Sequence, residues 1–266
     1  GTPLSLAGAP SVVIASAIQR TQRLRLIPMV YCLPWRNPLR LYHEICLLDS
    51  YSRGRLEVGI GRGVSPIESG YYGIAGGEEA RELFRESLDV LLQAFASDEL
   101  NYDGKHFHFS GVELVDKPFQ RPYPPLWYPT SNYESVPYVA QHGFHTSHNF
   151  APNDVAQRHF ERYRAEFEAH QHDAGRLNGH VREPKLTNSR HVYVAASDDQ
   201  AVDEARAAFE LWSKHISYLS GKFSNRPPES LTIDKRMTNG TALIGSPDTV
   251  RRAIQLSLIH ISEPTR

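Results

Sequence analysis

The sequence predicts an α/β fold with parallel strands. Three observations support this class: helical and extended segments alternate along nearly the whole chain, the first two helix–strand steps follow each other directly, and 266 residues suffice for one large domain. Strands that alternate with helices pair in parallel, because each helix returns the chain to the same end of the sheet.

The first two steps establish the pattern. Residues 10–21 carry apolar side chains at helical spacing, and residues 24–30 form an apolar run with the length of a buried strand, although Pro28 disfavours regular pairing there. Pro38 opens a second helix that Gly54 ends, and residues 55–60 form the next strand.

A hairpin interrupts the alternation. Residues 61–77 are glycine-rich and predict irregular structure, whereas residues 78–95 place apolar side chains on one helical face. Tyr102 and Phe107 then flank an Asp-Gly pair at positions 103 and 104, which is a turn signal. The pattern predicts a β-hairpin inserted between two helix–strand units.

Further units follow towards the end of the chain. Strands are predicted at residues 126–128, 144–147 and 190–196, and helices at residues 133–142, 152–172 and 198–215. The polar stretch 217–239 predicts a long loop of the kind that covers an active site, with a disordered segment as the alternative. Ser246 then caps a last helix that runs through Leu256.

The charge balance narrows the classes of partner. The chain carries 29 basic and 30 acidic residues, so its net charge gives no overall electrostatic attraction to nucleic acid or anionic lipid. No apolar run approaches the roughly 20 residues that cross a bilayer. Two cysteines, Cys32 and Cys46, give no basis for a disulfide framework, which favours the reducing cytoplasm. A small-molecule substrate fits this composition best.

One arginine lies where barrel enzymes build their sites. Arg62 follows the strand at residues 55–60 directly, inside the run GIGRG at positions 59–63, and barrel active sites lie at the carboxyl ends of strands. Glycines permit close approach of a ligand, and a guanidinium clamps a phosphate with two parallel hydrogen bonds. The alternative is a tight turn whose arginine forms a surface ion pair. A dinucleotide fingerprint is disfavoured, because no long helix begins directly after residue 63.

A second candidate anion site lies between a strand and a helix. Thr130, Ser131 and Asn132 follow the strand at residues 126–128, and Ser135 lies in the first turn of the next helix. Backbone N–H groups and the positive end of the helix dipole favour an anion there. An ordinary helix N-cap is the alternative.

The histidines predict no metal site. His142, His145 and His148 recur at a spacing of three, but they span a helix end, a glycine and a strand, so their side chains should diverge. His106 and His108 alternate within the hairpin and should share one solvent-facing side.

A series of short motifs follows in order along residues 10–256. They are Arg20-Thr21 with Leu24-Arg25-Leu26, Leu33-Pro34, Glu44 to Leu48 with Asp49, Gly54-Arg55, Gly59-x-Gly61-Arg62-Gly63, Pro118-x-Gln120, Pro124-Pro125-x-Trp127 and Ile244-Gly245-Ser246-Pro247. In this order the motifs resemble the bacterial-luciferase-like family of flavin-dependent monooxygenases.

The resemblance implies a TIM (β/α)8 barrel over residues 1–256, with the β-hairpin as an insertion. It also implies that this barrel is incomplete at both ends: the strand that brings the family's active-site histidine is not in the chain, and the tail 257–266 does not continue the pattern. The catalytic residue therefore stays unassigned. A glycine, Gly61, stands where the luciferases have a reactive cysteine, so light emission is not implied.

The resemblance also implies the cofactor contacts. The positions that match the family's flavin-phosphate contacts are Arg62, Ser131, Asn132, Ser135 and Arg81. Met29 and Val30 match a position where family members carry a non-prolyl cis peptide behind the flavin ring. Five aromatic side chains are candidates for an apolar substrate pocket, with simple core packing as the alternative: Trp35, Tyr31, Tyr71, Tyr72 and Trp127.

The activity that the resemblance implies is oxidation of a small organic substrate with reduced FMN and O₂. A flavin reductase would supply the reduced FMN, and the protein would form a homodimer. Two alternatives remain open at this point: an oxidoreductase that uses the deazaflavin F420 without O₂, and a non-catalytic flavin-binding partner subunit.

Overall fold

The computed structural model describes residues 8–63, 66–74, 76–223 and 232–262. The chain divides into two compact units. The first unit contains Gly1–Pro129 and Gly175–Arg182, and the second contains Thr130–Ala174 and Glu183–Arg266.

The first unit is a parallel sheet with helices and one hairpin. Its elements are α1 (Pro10–Arg20), β1 (Tyr31–Cys32), α2 (Pro38–Ser52), β2 (Val58–Gly61), α3 (Pro66–Tyr71), α4 (Gly77–Ala96), β3 (Glu99–Asp103), β4 (His108–Glu113) and β5 (Leu126–Trp127). Strands β1, β2 and β5 pair in parallel in that order, while β3 and β4 pair antiparallel. The parallel sheet and the inserted hairpin are therefore confirmed.

Two expectations for this unit were wrong in detail. The strand expected at residues 24–30 is reduced to one bridge, between Leu26 and Leu56, and regular pairing begins only at β1. Pro28 explains the gap because it has no N–H to donate. The stretch 61–77, expected to be irregular, contains the short helix α3.

Helix α2 fits the predicted capping and packing. The side chain of Asn37 accepts a hydrogen bond from the backbone N–H of Arg40, and Pro38 occupies the first turn. The helix buries an apolar stripe and contacts both α1 and α4. It ends where Arg53 and Gly54 adopt left-handed backbone angles, which glycine adopts without steric cost.

Two buried polar side chains fix the segment around β5. Asp49 accepts hydrogen bonds from the backbone N–H and the Nε2 of Gln120, at 2.7 and 2.8 Å, and the same Nε2 donates to the Leu56 carbonyl. The amide of Asn178 pairs with both the N–H and the carbonyl of Leu126, as a neighbouring strand would. Burial raises the pKa of Asp49 above its usual range, against the opposing effect of the Gln120 hydrogen bonds.

The second unit also alternates helices and parallel strands. Its elements are a 3₁₀ turn (Tyr133–Ser135), α5 (Val136–Gln141), β6 (Thr146–Asn149), α6 (Asn153–His170), β7 (Leu186–Ser189), β8 (His191–Val194), α7 (Asp198–Phe223), α8 (Ile233–Thr238), β9 (Ala242–Gly245) and α9 (Pro247–Ser262). Strand β6 pairs in parallel with β7, and β8 with β9. The chain is thus α/β with parallel pairs in both units.

Residues 217–239 are not the long loop that their polarity predicted. Helix α7 continues to Phe223 and α8 occupies Ile233–Thr238, while residues 224–231 lie outside the described part of the chain. Strand β7 escaped prediction because its sequence, LTNS, is mostly polar. In the part of the chain that the structure covers, no helix is long and apolar enough to span a bilayer.

Candidate functional site

The carboxyl ends of two neighbouring strands, β1 and β2, define the candidate site in the first unit. Strand β1 leads into a 3₁₀ turn at Leu33–Trp35, and β2 leads into Arg62. Cys32 pairs with Gly61 across β1 and β2, so these two ends lie at the same level of the sheet. Parallel α/β proteins build their active sites at this edge.

The glycines of β2 make room for the protein's own chain. A Cβ atom on Gly59 would lie 2.2 Å from the carbonyl oxygen of Pro28, and one on Gly61 would lie 2.7 Å from a methyl group of Val30. The space beside both glycines is therefore occupied by the protein's own chain, and close approach of a ligand to their backbone stays a prediction. The Met29–Val30 peptide bond that passes here is cis, the feature that the family resemblance implied.

Arg62 emerges between two glycines with its side chain exposed to solvent. Gly63, which follows, has φ +82°, and a Cβ atom there would lie 2.5 Å from the ring of Trp35. Only glycine fits this position, for reasons of both backbone angle and space. The backbone at Arg62 is therefore set by the packing on either side, while its guanidinium extends from the end of the strand.

Four of the five aromatic candidates separate into two groups, while Tyr71 is exposed. Tyr31 and Trp127 are buried, and each directs its polar atom inward: the Tyr31 hydroxyl bonds to Ser11 and the Trp127 indole N–H bonds to a carboxylate. Core packing, the alternative that the sequence left open, is therefore correct for these two. At the strand ends, Trp35 stacks on Tyr72 with the ring centroids 5.5 Å apart and the planes 8° from parallel.

A buried carboxylate lies directly before β2, the strand that leads to the site. Glu57 is completely buried, forms an ion pair with Arg25, and accepts a 2.5 Å hydrogen bond from Trp127 Nε1. Since side chains alternate along a strand, Glu57 faces the same side as Gly59 and Gly61. Sequence reasoning missed it, although a single acid inside an apolar strand was a visible signal.

Arg81 lies in the first turns of α4 and forms an ion pair with Glu78 at 2.8 Å. Both side chains are more than half exposed, so this pair contributes little to stability. The hydrogen bond from Arg81 lowers the pKa of Glu78, with Arg85 as a second partner.

The segment that leads into α5, at the start of the second unit, is an N-cap. The side chain of Asn132 accepts a hydrogen bond from the N–H of Glu134, and the Thr130 hydroxyl accepts one from the N–H of Asn132. The N–H of Ser135 donates to the Asn132 carbonyl. The ordinary capping alternative is therefore correct for Asn132, while Ser131 stays exposed and Ser135 half-buried.

Each histidine of the predicted triplet has a different environment. The Nδ1 of His145 accepts a hydrogen bond from the Lys185 N–H, and His142 packs against Tyr138. His148 instead faces His159 of α6, with ring centroids 4.5 Å apart. Among the described residues, no three His, Cys, Asp or Glu side chains group in a way that holds a metal ion.

The pair His148 and His159 is buried, each side chain in a residue only 7% exposed. Burial lowers the pKa of both rings, that of His159 to about 4. The charges of His148, Arg158 and Arg162 add to the effect at His159, and that of Arg190 adds to it at His148. The hairpin histidines do not share one face as predicted, since His108 is exposed beside Asp103 and His106 is half-buried beside Glu82.

Comparison with known proteins agrees with this architecture. The family described as luciferase-like monooxygenase matches residues 3–258. The chain belongs to the luciferase-like monooxygenase family, which confirms the resemblance seen in its motifs.

Individual relatives show how far the likeness extends. The uncharacterized protein y4wF of Sinorhizobium fredii is 34% identical over 255 residues, which cover 95% of this chain and 72% of that protein. The monooxygenase RslO1 of Streptomyces bottropensis superimposes with a TM-score of 0.80 at 24% identity, over 95% of this chain and 73% of that one.

A further solved structure is the oxygenating constituent of 3,6-diketocamphane monooxygenase from Pseudomonas putida, in complex with FMN. It has a TM-score of 0.73 at 21% identity, over 95% of this chain and 74% of that one. At these identities the two structures show a shared fold, and the chain spans about three-quarters of each relative.

Proposed function

We propose that this protein is the oxygenating component of a monooxygenase that uses reduced FMN and O₂ to oxidise a small organic substrate. One observation carries the proposal: in a chain of the luciferase-like family, an arginine with an exposed side chain extends from the carboxyl end of β2. A guanidinium at that edge suits a phosphate-bearing cofactor.

The residues present fit FMN. Arg62 would hold the phosphate through two parallel N–H donors, and the flanking packing fixes the backbone from which it extends. Ser131, Asn132, Ser135 and Arg81 remain proposed phosphate contacts on the strength of the family resemblance. Because Asn132 Oδ1 already accepts a backbone N–H, only the amide nitrogen of that side chain would donate to an anion.

When bound, reduced FMN supplies the electrons that activate O₂. The protein's share is to bind, to orient and to exclude water. Arg62 would offset part of the phosphate charge, while the Met29–Val30 segment is the proposed support for the flavin ring. We further propose a (β/α)8 barrel for the parallel strands and a homodimer as the working form. A separate flavin reductase would supply the reduced FMN, in line with a relative described as an oxygenating constituent.

The test is to mix the purified protein and photoreduced FMN with ¹⁸O₂ and a panel of small ketones, aldehydes and heteroaromatic compounds. A product that carries one ¹⁸O atom is expected. A parallel reaction replaces FMN with reduced F420. Reduction of the substrate in that reaction, with no ¹⁸O incorporation in either, would identify the hydride-transferring alternative. Tight FMN binding with no turnover of any compound would favour the non-catalytic partner subunit.

A further inference from the structure

Trp35 is held rigidly at the edge of the candidate site. Its indole N–H donates to the hydroxyl of Ser69 at 3.4 Å, its ring stacks on Tyr72, and its six-membered ring contacts the backbone at Gly63. We call Trp35 and Tyr72 together the aromatic ledge. Three separate contacts on one side chain fix the orientation of the ledge.

The turn after α3 positions the second ring. The Ser69 carbonyl accepts hydrogen bonds from the N–H groups of both Tyr72 and Ile74, at 3.1 and 3.0 Å. Ile74 is buried, so the turn is anchored to the interior on one side. Tyr72 nevertheless stays 59% exposed although its ring is stacked on Trp35. Much of the tyrosine ring is therefore open to a ligand.

The ledge adjoins the proposed cofactor contact. Gly63, which lies against the Trp35 ring, is the residue directly after Arg62. The polar atom of the indole is already bonded to Ser69, so the ledge offers an aromatic surface and no free charge of its own. Tyr72 stays exposed at the carboxyl edge of the parallel sheet, with the half-buried Trp35 behind it, so its ring is suited to bind a ligand rather than to fill the core.

We propose that the aromatic ledge makes the protein select substrates that contain a planar aromatic ring. This inference rests on the proposed function and specifies the substrate class. Aromatic rings attract each other in offset-stacked geometry beyond the effect of buried area, whereas a saturated ring is too puckered to lie flat on Tyr72. Trp35 acts as a positioning residue that keeps the tyrosine ring in place.

The test uses two probes with the same amide and the same number of ring atoms: 2-naphthamide, which is flat, and its fully saturated decalin counterpart. Their dissociation constants are measured by ligand-observed NMR on the full chain, with and without FMN. We expect 2-naphthamide to bind about 3- to 10-fold more tightly, the range that one stacked aromatic pair contributes. Tyr72→Leu and Trp35→Leu should abolish the preference, and Ser69→Ala should reduce it.

Tyr51→Leu is the matched control, because Tyr51 is a similarly exposed tyrosine on α2 and lies outside the ledge. Equal binding of both probes, no binding of either, or a preference that survives Tyr72→Leu would overturn the proposal. Loss of FMN affinity in Tyr72→Leu would overturn it as well, because the ledge would then hold the cofactor ring. Failure of the parent protein to bind FMN while the ring preference persists would count against the proposed function alone.

Discussion

The sequence predicted a phosphate site after two strands, and the polar side chains that follow these strands form different contacts. At the end of β2, neighbouring segments of the chain fill the space beside the glycines, and the side chain of Arg62 extends to solvent. At the junction before α5, Asn132 and Thr130 bond to backbone N–H groups within two residues. Short polar side chains satisfy their own turn first, whereas a long one emerges from it available for a ligand.

The largest predicted effect is a loss of stability on substitution of Gly59, a glycine of the β2 run that the sequence associated with a ligand. Gly59→Ala should destabilise the protein by about 3 kcal/mol, because its Cβ would meet the Pro28 carbonyl, a backbone atom that cannot rotate away. Urea denaturation measures the loss. Gly70→Ala is the matched control, since a Cβ there would meet nothing within 4 Å. A stable Gly59→Ala protein with impaired FMN binding would instead return that glycine to the cofactor site.

Arg62→Ala tests the exposed member of the comparison. FMN affinity should fall about 10- to 100-fold, which corresponds to the roughly 1.5–3 kcal/mol of a hydrogen bond to a charged group. The FMN affinity of Arg62→Lys should lie between those of the parent and Arg62→Ala, because lysine keeps the charge but not the paired donors. Flavin-fluorescence titration gives both values. Arg40→Ala, a solvent-facing arginine on α2 with 84% side-chain exposure, should bind FMN like the parent. An Arg62→Ala protein within twofold of the parent would remove the phosphate assignment.

The second unit should be the more acid-sensitive of the two regions. The folded-state pKa values of His148 and His159 lie below the usual 6.5, so the unfolded chain binds more protons. Their stabilising contribution is present above pH 6.5 and is lost as the pH falls towards 4. The loss at His159 should be roughly 2 kcal/mol.

His159→Gln should flatten this pH dependence when denaturation midpoints are compared between pH 7 and pH 4.5. His108→Gln is the control, because His108 is exposed in the hairpin and lies in the first unit. A His159→Gln protein that loses as much stability between the two pH values as the parent would exclude the buried pair as the cause.

The order of helices and parallel strands followed from apolar spacing, and the ends of α1 and α2 from proline and cap residues. Other features depend on contacts between distant segments, which spacing along the chain does not encode. Glu57 is stabilised in a buried position because Arg25 and Trp127 converge on it. Asn178 replaces a strand partner for β5 from 52 residues away. The same distinction holds for the site residues. Arg62 could be predicted from its position after a strand, whereas the roles of the five aromatic residues depend on contacts between distant segments.

The smallest predicted effects concern the segment before α5, where substitutions distinguish helix capping from FMN binding. Asn132→Ala removes the side chain that accepts the Glu134 N–H, so it should cost about 1 kcal/mol of stability, as loss of an N-cap does. Its effect on FMN affinity should be no more than a few-fold, because the capping oxygen is not free for a ligand. Ser131→Ala and Ser135→Ala should differ from Asn132→Ala in stability, since neither serine side chain caps the helix and Ser131 is exposed while Ser135 is half-buried. Both variants should leave the free energy of unfolding within about 0.5 kcal/mol of the parent and weaken FMN binding by a few-fold at most. Asn132→Asp is the sharpest comparison, because it keeps the cap but adds a negative charge, so it should preserve stability and impair FMN binding if the phosphate lies there. Unchanged FMN affinity in Asn132→Asp would leave this junction as a helix cap and nothing more.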